Sequence, residues 1–290
     1  MWFVGVSTGA SLVHRAFPAW LADLGRGGVR LRGRDLPLGT PAADYRSLLA
    51  ELAARADTVG AVVTSHKLAL VRAGADLFAS LDPVARVTGE VNAVRRGPAG
   101  LVGFARDPLS VGRVVDRVWP TGDQVTCLGA GGTAVALGWH LLSRPDPPAR
   151  LLFADRSDEA AGHLRRVLGA LASAAGVAVD VVLGDGPWDR LLADSPPRTL
   201  VVNATGLGKD RPGSPVSAAA RFPSDAVVWD LNYRGDLALL RTAERVGART
   251  HDGWDLFCHG WAAALTAVLD LPDHPARGDR FATLAAHLRP

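Results

Sequence analysis

The sequence predicts an α/β fold built from short strands that alternate with helices. Along most of the chain, a short apolar segment is followed by a longer one whose apolar residues recur at helical spacing. Such alternation is typical of a parallel sheet that is covered by helices on both faces. The length of 290 residues is enough for one large domain or two modest ones.

The first half of the chain starts with a strand and a helix and then repeats this order. The predicted strands are Phe3–Val6, Val29–Leu31, Val59–Thr64, Glu90–Arg95 and Leu101–Phe104. The last two are separated by Gly97-Pro98-Ala99-Gly100, a turn that indicates a strand pair. The predicted helices are Ser11–Leu24, Tyr45–Ala56, Leu68–Ala75 and Val111–Val118.

The segment Trp119-Pro120-Thr121-Gly122 is the best linker candidate, and a second series of elements follows it. Strands are predicted at Gln124–Leu128, Arg150–Ala154, Ala178–Leu183, Thr199–Asn203 and Val227–Leu231. Helices are predicted at Thr133–Ser143, Asp158–Ala175, Leu237–Val246, Trp261–Leu269 and Arg280–Leu288. We therefore predict a first domain at residues 1–113, with the last helices at 260–290 packed on it, and a second domain at 114–259.

The composition argues against several classes of protein. The net charge is +3 and basic residues form no run longer than a pair, so nucleic-acid binding is not expected. No apolar stretch is long enough to cross a bilayer and no signal peptide is visible, which predicts a cytoplasmic protein without membrane contact. The histidines are scattered, so no metal site is expected. Cys127 and Cys258 lie among apolar neighbours and are expected to be small buried thiols.

A glycine-rich turn lies between the strand Gln124–Leu128 and the helix that begins at Thr133. Its residues are Gly129, Ala130, Gly131 and Gly132. Glycine allows a sharp turn and a close approach to a pyrophosphate, which the N–H groups of the following helix then bind. Asp155 ends the next strand, near the separation of about 20 residues expected of a ribose-binding acid. The second domain is therefore predicted to be a doubly wound, Rossmann-type dinucleotide-binding domain.

The residues after the next strand bear on the choice of cofactor. The carboxylate of Asp155 accepts hydrogen bonds from ribose hydroxyls and repels a 2′-phosphate, which favours NAD. Arg156 could instead pair with that phosphate, which would favour NADP, or stack on the adenine. A polar loop is predicted at the carboxyl edge of the same sheet, where it would contact the cofactor; its residues are Asn203, Ala204, Thr205, Gly206 and Leu207.

Lysine is rare in this chain. Lys67 and Lys209 are the only lysines among 32 basic residues. An ammonium group can lose its proton when its site lowers its pKa, whereas a guanidinium group effectively cannot. Lys67 directly follows an apolar strand, so it is a candidate acid or base.

Short motifs along nearly the whole chain resemble the shikimate/quinate dehydrogenase family. They are Val63-Thr64-Ser65-His66-Lys67, Gly89-Glu90-Val91-Asn92, Gly103-Phe104-Ala105-Arg106-Asp107, Gly129-Ala130-Gly131-Gly132, Asn203-Ala204-Thr205-Gly206-Leu207-Gly208, Asp230-Leu231-Asn232-Tyr233 and Gly253-Trp254-Asp255-Leu256. The resemblance implies an N-terminal α/β substrate domain, a C-terminal dinucleotide domain and an active site in the cleft between them. It also implies interconversion of a ring alcohol and a ring ketone.

The resemblance assigns a role to individual residues of this sequence. Lys67 and Asp107 would be the catalytic acid–base pair, with the lysine tuned towards neutrality by burial. Thr64, Asn92 and Tyr233 would contact the substrate.

The resemblance is incomplete where the substrate would be held. The family has a Ser-x-Ser-Pro stretch for the substrate carboxylate, whereas this chain offers Ser7, Thr8 and Ser11 at a different spacing. The family's substrate-binding Gln aligns with Gly260. Lost polar partners usually change specificity, so these differences predict a substrate other than shikimate.

Two other functions stay open at this point. One is a reductase of a ring enone or imine, with Lys67 as the proton donor. The other is a ligand-sensing protein without turnover, although a sensor would need neither Lys67 nor Asp107. A small polyol or ketone is the expected ligand, and the chain is expected to be a monomer or a homodimer.

Overall fold

The computed structural model describes residues 1–209 and 211–290. Its internal contacts divide these residues into two units. The first contains Met1–Asp107 and Cys258–Arg289, and the second contains Pro108–Phe257. The domain ranges predicted from the sequence are 1–113 with 260–290, and 114–259; they differ from this division by a few residues and stay predictions.

The first unit contains a six-stranded mixed sheet. Its strands are β1 (Trp2–Gly5), β2 (Arg32–Asp35), β3 (Gly60–Val63), β4 (Phe78–Leu81), β5 (Ala93–Gly97) and β6 (Gly100–Phe104). Their order across the sheet is β2-β1-β3-β5-β6-β4, and β5 alone runs antiparallel to its two neighbours. The predicted strand pair β5–β6 is confirmed, and its antiparallel pairing makes the sheet of this unit mixed.

Four helices of the first unit separate these strands along the chain. They are α1 (Val13–Asp23), α2 (Ala42–Ala54), α3 (Lys67–Gly74) and α4 (Pro83–Thr88). Neither α4 nor β4 was predicted from the sequence, because both are short and lack a clear apolar period. Asp82 nevertheless marks the start of α4, since its carboxylate accepts a hydrogen bond from the N–H of Ala85 at 2.7 Å.

The predicted strand Val29–Leu31 is a second error, because β2 lies at Arg32–Asp35. This strand is the outermost one of the sheet and is mostly exposed, so its sequence shows no apolar pattern. Its position is set by pairing with β1, in which Trp2 lies opposite Arg32. The guanidinium of Arg34 also lies 4.5 Å from the centre of the Trp2 ring and pairs with Glu51.

The second unit is a doubly wound α/β fold, as predicted. Its elements are α5 (Asp107–Val118), β7 (Gln124–Leu128), α6 (Gly132–Leu142), β8 (Arg150–Asp155), α7 (Asp158–Ala175), β9 (Ala178–Leu183), α8 (Asp189–Ala193), β10 (Leu200–Asn203), β11 (Val227–Asp230), α9 (Ala238–Glu244) and β12 (Arg249–His251). All six strands are parallel in the order β12-β11-β10-β7-β8-β9. The order reverses between β7 and β10, which is where such sheets bind ligands.

Two more helices complete the chain, α10 (Trp254–Val268) and α11 (Arg277–Leu284). In the first unit, the ring of Phe281 on α11 stacks on Trp20 of α1 with 4.7 Å between ring centres. The indole N–H of Trp20 also donates a hydrogen bond to the carbonyl of Phe281 at 2.9 Å. No helix in the described part of the chain is both long and apolar enough to cross a membrane.

Two glycines inside helices differ in the space around them, and this difference predicts opposite effects of alanine. A Cβ at Gly260 of α10 would meet no atom within 4 Å, whereas one at Gly138 of α6 would lie 2.4 Å from Leu168. We expect Gly260→Ala to raise the free energy of unfolding by up to about 1 kcal/mol, because alanine favours the helix. Gly138→Ala should lower it. Thermal or urea unfolding measures both, and a destabilised Gly260→Ala would contradict the open space at that position.

Candidate active site

The carboxyl ends of β1, β2, β3 and β6 lie at one edge of the first sheet. Lys67 begins α3 soon after β3, and Asp107 begins α5 soon after β6. Asn92 precedes β5, which runs in the opposite direction and therefore starts at the same edge. The fold thus brings together three residues that are far apart in sequence.

Lys67, Asp107 and Asn92 form a hydrogen-bonded group at this edge. The ammonium of Lys67 donates to Oδ2 of Asp107, and the two side chains are each 19% exposed. The amide of Asn92 donates to Oδ1 of Asp107 at 2.6 Å, and its own oxygen accepts from the N–H of Arg106 at 2.7 Å. The carboxylate is therefore held from both sides, and the ammonium retains further N–H groups for a ligand.

The charge of Lys67 differs from the expectation. Burial favours the neutral amine, but the carboxylates of Asp107 and Glu90 outweigh burial, so the pKa of Lys67 is raised above its ordinary value. The expectation of a lysine tuned towards neutrality is therefore wrong. The group is an ammonium–carboxylate pair, which is suited to donating a proton to an oxygen.

The residues expected to bind substrate lie in different surroundings. Thr64 donates its hydroxyl to the carbonyl of Val4 at 3.2 Å, and Thr8 is buried with its hydroxyl 2.5 Å from Oδ1 of Asp35. Ser11 accepts a hydrogen bond from an N–H at the start of α1, at 3.4 Å. Ser7 is exposed.

His66 is a structural residue, although it lies next to Lys67. Its Nδ1 lies 2.7 Å from the hydroxyl of Tyr45, and its Nε2 lies 2.9 Å from the carbonyl oxygen of Leu36. Because a carbonyl can only accept, Nε2 carries the proton and Nδ1 accepts from the tyrosine. Both ring nitrogens are used within the protein.

The glycine turn after β7 has the geometry required of a phosphate loop. Gly129 has φ of 114°, and a Cβ there would lie 2.7 Å from the carbonyl carbon of Ala204. Gly131 precedes α6, and a side chain at this position would point into open space. The N-terminus of α6, with Gly132 and Thr133 in its first turn, is therefore accessible to an anion.

Asp155 connects the glycine turn to the end of β8. Its Oδ2 accepts a hydrogen bond from the N–H of Ala130 at 2.7 Å, and its Oδ1 accepts from the N–H of Ser157 at 2.8 Å. Each carboxylate oxygen has a further lone pair with which to accept from a ribose hydroxyl. Asp155 thus shapes the loop as well as offering a ligand contact.

A cavity of about 440 Å³ lies beside Asp155. Gly131, Arg156, Ala204, Thr205 and Leu207, all expected to bind the cofactor, line it with Asp155. Trp188 and Arg211 also line it, and neither was predicted from the sequence. A larger cavity of about 780 Å³ elsewhere in the second unit is lined by residues 218–226, 242 and 245–249, and none of the expected residues lines it.

Asn203 and Thr205 are used chiefly to shape the loop after β10. The amide of Asn203 donates to Oδ2 of Asp230 at 2.9 Å and to the carbonyl of Leu207 at 3.1 Å. Thr205 donates its hydroxyl to Oδ1 of Asn203 at 2.6 Å. Gly206 follows with φ of 73°, a conformation that favours glycine. The loop is held rigid at the edge of the sheet.

Tyr233 is buried among aromatic rings of the second unit. Its ring centre lies 4.5 Å from that of Phe257 and 5.9 Å from that of Trp254. The ammonium of Lys209 lies 5.6 Å from the Tyr233 ring. Within residues 1–209 and 211–290, no group of three His, Cys, Asp or Glu side chains is placed to hold a metal ion. Cys127 and Cys258 are buried thiols, as predicted.

Asp230 predicts a pH dependence of stability. Burial raises its pKa to about 6, despite the hydrogen bonds from Asn203 and Asn232. The folded state therefore binds more protons than the unfolded state between about pH 4 and 6. The contribution of Asp230 to the free energy of unfolding should fall by up to about 3 kcal/mol as the pH rises through this range, and stay constant above it.

Urea unfolding of the wild type and of Asp230→Asn between pH 4 and pH 7 measures this change. The destabilisation caused by Asp230→Asn should be larger at pH 4 than at pH 7, because the neutral side chain cannot titrate. Asp146→Asn, at an exposed position of the same unit, is the control. A difference that is independent of pH would contradict the raised pKa.

Comparison with known proteins gives several shikimate dehydrogenases as relatives, although no protein-family model matches the chain. A shikimate dehydrogenase (NADP(+)) from Anaeromyxobacter dehalogenans strain 2CP-C is 34% identical over 200 residues, which are 68% of each chain. One from Anaeromyxobacter sp. strain K is 34% identical over 66% of each chain. One from Brucella melitensis biotype 1 is 29% identical over 87% of this chain and 83% of the relative. The chain thus matches about two thirds of the length of the first two relatives.

Solved structures share the fold over almost the whole chain. Quinate dehydrogenase from Corynebacterium glutamicum in complex with NAD has a TM-score of 0.73 at 23% identity, covering 97% of this chain and 96% of that one. Shikimate 5-dehydrogenase from Listeria monocytogenes in complex with shikimate and NAD has a TM-score of 0.71 at 20% identity, covering 97% and 94%. The predicted class of enzyme, a dehydrogenase that acts on a CH–OH group, is confirmed by the named relatives. The chain belongs to the shikimate dehydrogenase family.

Proposed function

We propose that this protein is an NAD-dependent dehydrogenase that interconverts a ring alcohol and a ring ketone of a polyhydroxylated cyclohexane or cyclohexene. Lys67 and Asp107 would move the proton, and Asn92 would hold the carboxylate of Asp107 in place. The observation that carries this proposal is the ammonium–carboxylate–amide group at one edge of the first sheet. Its family membership supports the same reaction class.

The chemistry follows from the charges of the two catalytic residues. When bound, the nicotinamide cofactor accepts or supplies the hydride. In ketone reduction, the ammonium of Lys67 donates a hydrogen bond to the ketone oxygen and then transfers its proton as negative charge develops. In alcohol oxidation, Lys67 must first release a proton to solvent; the neutral amine then takes the proton of the hydroxyl, and the carboxylate of Asp107 stabilises the ammonium that forms.

The second unit offers residues that fit a dinucleotide. The turn around Gly129 excludes a side chain, and the N-terminus of α6 is open beside it. The Asp155 carboxylate at the nearby cavity would disfavour a 2′-phosphate, which supports NAD. Arg156 lines the same cavity and is the feature that would favour NADP. Gly129–Thr133 and Asn203–Leu207 are the proposed cofactor loops.

The proposed substrate differs from shikimate in its contacts. Gly260 supplies no side chain where the resemblance expects a glutamine, and Ser11 accepts a hydrogen bond from the N–H of Val13 at 3.4 Å. Thr64 and Tyr233 remain proposed contacts. Missing partners of this kind change which ring substituents a site accepts.

A reductase of a ring enone or imine is a second candidate. A protonated Lys67 is compatible with it, since this reaction, like ketone reduction, needs a proton donor. Identification of the reduced product distinguishes a saturated ring or an amine from an alcohol. The retention of both Lys67 and Asp107 supports turnover over ligand sensing alone.

The role of Lys67 can be tested with two variants. We expect Lys67→Ala and Lys67→Arg to lower kcat by about 10² to 10⁴. The alanine side chain has no acidic proton to donate, and the guanidinium of arginine does not release its proton. Cofactor affinity, measured by NADH fluorescence, should be nearly unchanged. Lys209→Arg is the matched control at the second lysine of the chain. A variant at Lys67 that keeps more than about a tenth of the wild-type kcat would remove the residue from the mechanism.

The role of Asp155 can be tested through the ratio of kcat/KM for NADP to that for NAD. Asp155→Asn should raise this ratio by about tenfold, because it removes a negative charge beside the proposed position of a 2′-phosphate. Damage to the glycine turn should affect both cofactors and cancel in the ratio. Asp185→Asn, at an exposed position lining the same cavity, is the control. An unchanged ratio would mean that Arg156 or another residue sets the preference.

A further inference from the structure

Thr8 has both of its hydrogen-bond donors occupied by a carboxylate of the protein. Its N–H lies 2.8 Å and its hydroxyl oxygen 2.5 Å from Oδ1 of Asp35, and Thr8 is only 2% exposed. A Cβ on Gly33 would lie 2.2 Å from the Thr8 hydroxyl, so glycine in β2 makes this close approach feasible. The two hydrogen bonds therefore belong to a packed arrangement of backbone and side chains.

This arrangement lies at the sheet edge that carries the acid–base pair. Asp35 ends β2 opposite Gly5, the last residue of β1. A Cβ on Gly5 would lie 2.7 Å from the hydroxyl of Thr64 and 3.3 Å from the methyl of Thr8, so these two threonines flank Gly5. Thr64 leads into α3, which begins at Lys67.

The charges at this edge are unfavourable for an anion. The ammonium of Lys67 already faces the carboxylates of Asp107 and Glu90. The guanidinium of Arg106 lies 3.9 Å from the Asp82 carboxylate and 5.0 Å from the Phe104 ring centre. The hydrogen bonds from Thr8 lower the pKa of Asp35, so it carries a negative charge at neutral pH.

A ligand carboxylate would thus lack free donors at Thr8 and would be repelled by Asp35. A ligand hydroxyl would instead find an acceptor, because the hydrogen bonds from Thr8 both go to Oδ1 and Asp35 is exposed. The same loop is therefore suited to a neutral, hydroxyl-bearing group.

We propose that Asp35 determines the specificity of this enzyme by selecting a ring polyol without a carboxylate and rejecting ring acids. This inference rests on the proposed function of the same site. Asp35 would occupy the donors of Thr8 and accept a hydrogen bond from a substrate hydroxyl through Oδ2.

Matched pairs of ring compounds test the proposal. Quinate and shikimate are compared with their primary amides, which keep the ring and the planar group but lack the charge. We expect the wild type to prefer each amide by at least about tenfold in kcat/KM, or about 1.4 kcal/mol. Asp35→Asn should reduce this preference by about tenfold by raising kcat/KM for the acids, and Asp35→Glu should retain it.

Asp57→Asn is the matched control. Asp57 is an exposed aspartate that precedes β3, so it lies at the end of the sheet away from Asp35 and the acid–base pair. Thermal unfolding establishes that each variant is folded. A wild type that prefers the acids, or a preference that is the same in Asp35→Asn, would overturn the proposal.

Calorimetric binding of the same acids and amides, with NAD or NADH present, separates this proposal from the proposed function. Binding that favours the amides and depends on Asp35, without turnover of any compound, would support the role of Asp35 and overturn the dehydrogenase activity. Turnover with equal preference for acids and amides would support the activity and overturn the role of Asp35. Neither turnover nor binding of any of these compounds would overturn both.

Discussion

The ion pair of Lys67 and Asp107 is the interaction on which the candidate site depends. Each residue begins a helix that follows a strand of the first sheet, so the pair connects two strand–helix junctions. Asp107 suits the N-terminus of α5, whereas a cation at the N-terminus of α3 is opposed by the helix dipole. The carboxylates of Asp107 and Glu90 offset this cost and burial, and they keep Lys67 charged. The contact between Lys67 and Asp107 therefore fixes the positions of the two side chains and also helps to keep Lys67 charged.

Backbone at the ends of parallel strands positions the functional groups in both units. In the second unit, the turn at Gly129 packs against Ala204, and Asp155 bonds the N–H of Ala130. Asn203 and Asp230 then hold the loop after β10 through a buried hydrogen bond. Such loops are fixed before a ligand arrives, so the ligand does not have to bear the cost of ordering them.

The parts of the fold that local signals define could be predicted from the sequence. The bounds of α7 were predicted to the residue, because Ser157 caps its start and Gly176 ends it in the left-handed conformation. The edge strand β2 could not be predicted, since its polar residues are placed by pairing with β1. Motifs indicated Lys67, Asp107 and Asn92. They gave no sign of Asp35, Trp188 or Arg211, because only the fold brings these residues to the sites. The charge of Lys67 depends on carboxylates that only the fold brings near it.

The carboxylates of Glu90 and Asp35, at the same sheet edge as the acid–base pair, also constrain what the substrate can be. A site that binds an anion needs a cation whose charge is not already balanced, or hydrogen-bond donors that the protein does not already use. At this sheet edge, Lys67 is balanced by Asp107 and Glu90, and Thr8 gives its donors to Asp35. Among the groups that the edge offers a ligand are the remaining N–H groups of Lys67 for an oxygen and carboxylate oxygens for hydroxyl donors. A polyol provides both kinds of group, so the features that keep Lys67 protonated and those that exclude an acid favour the same substrate.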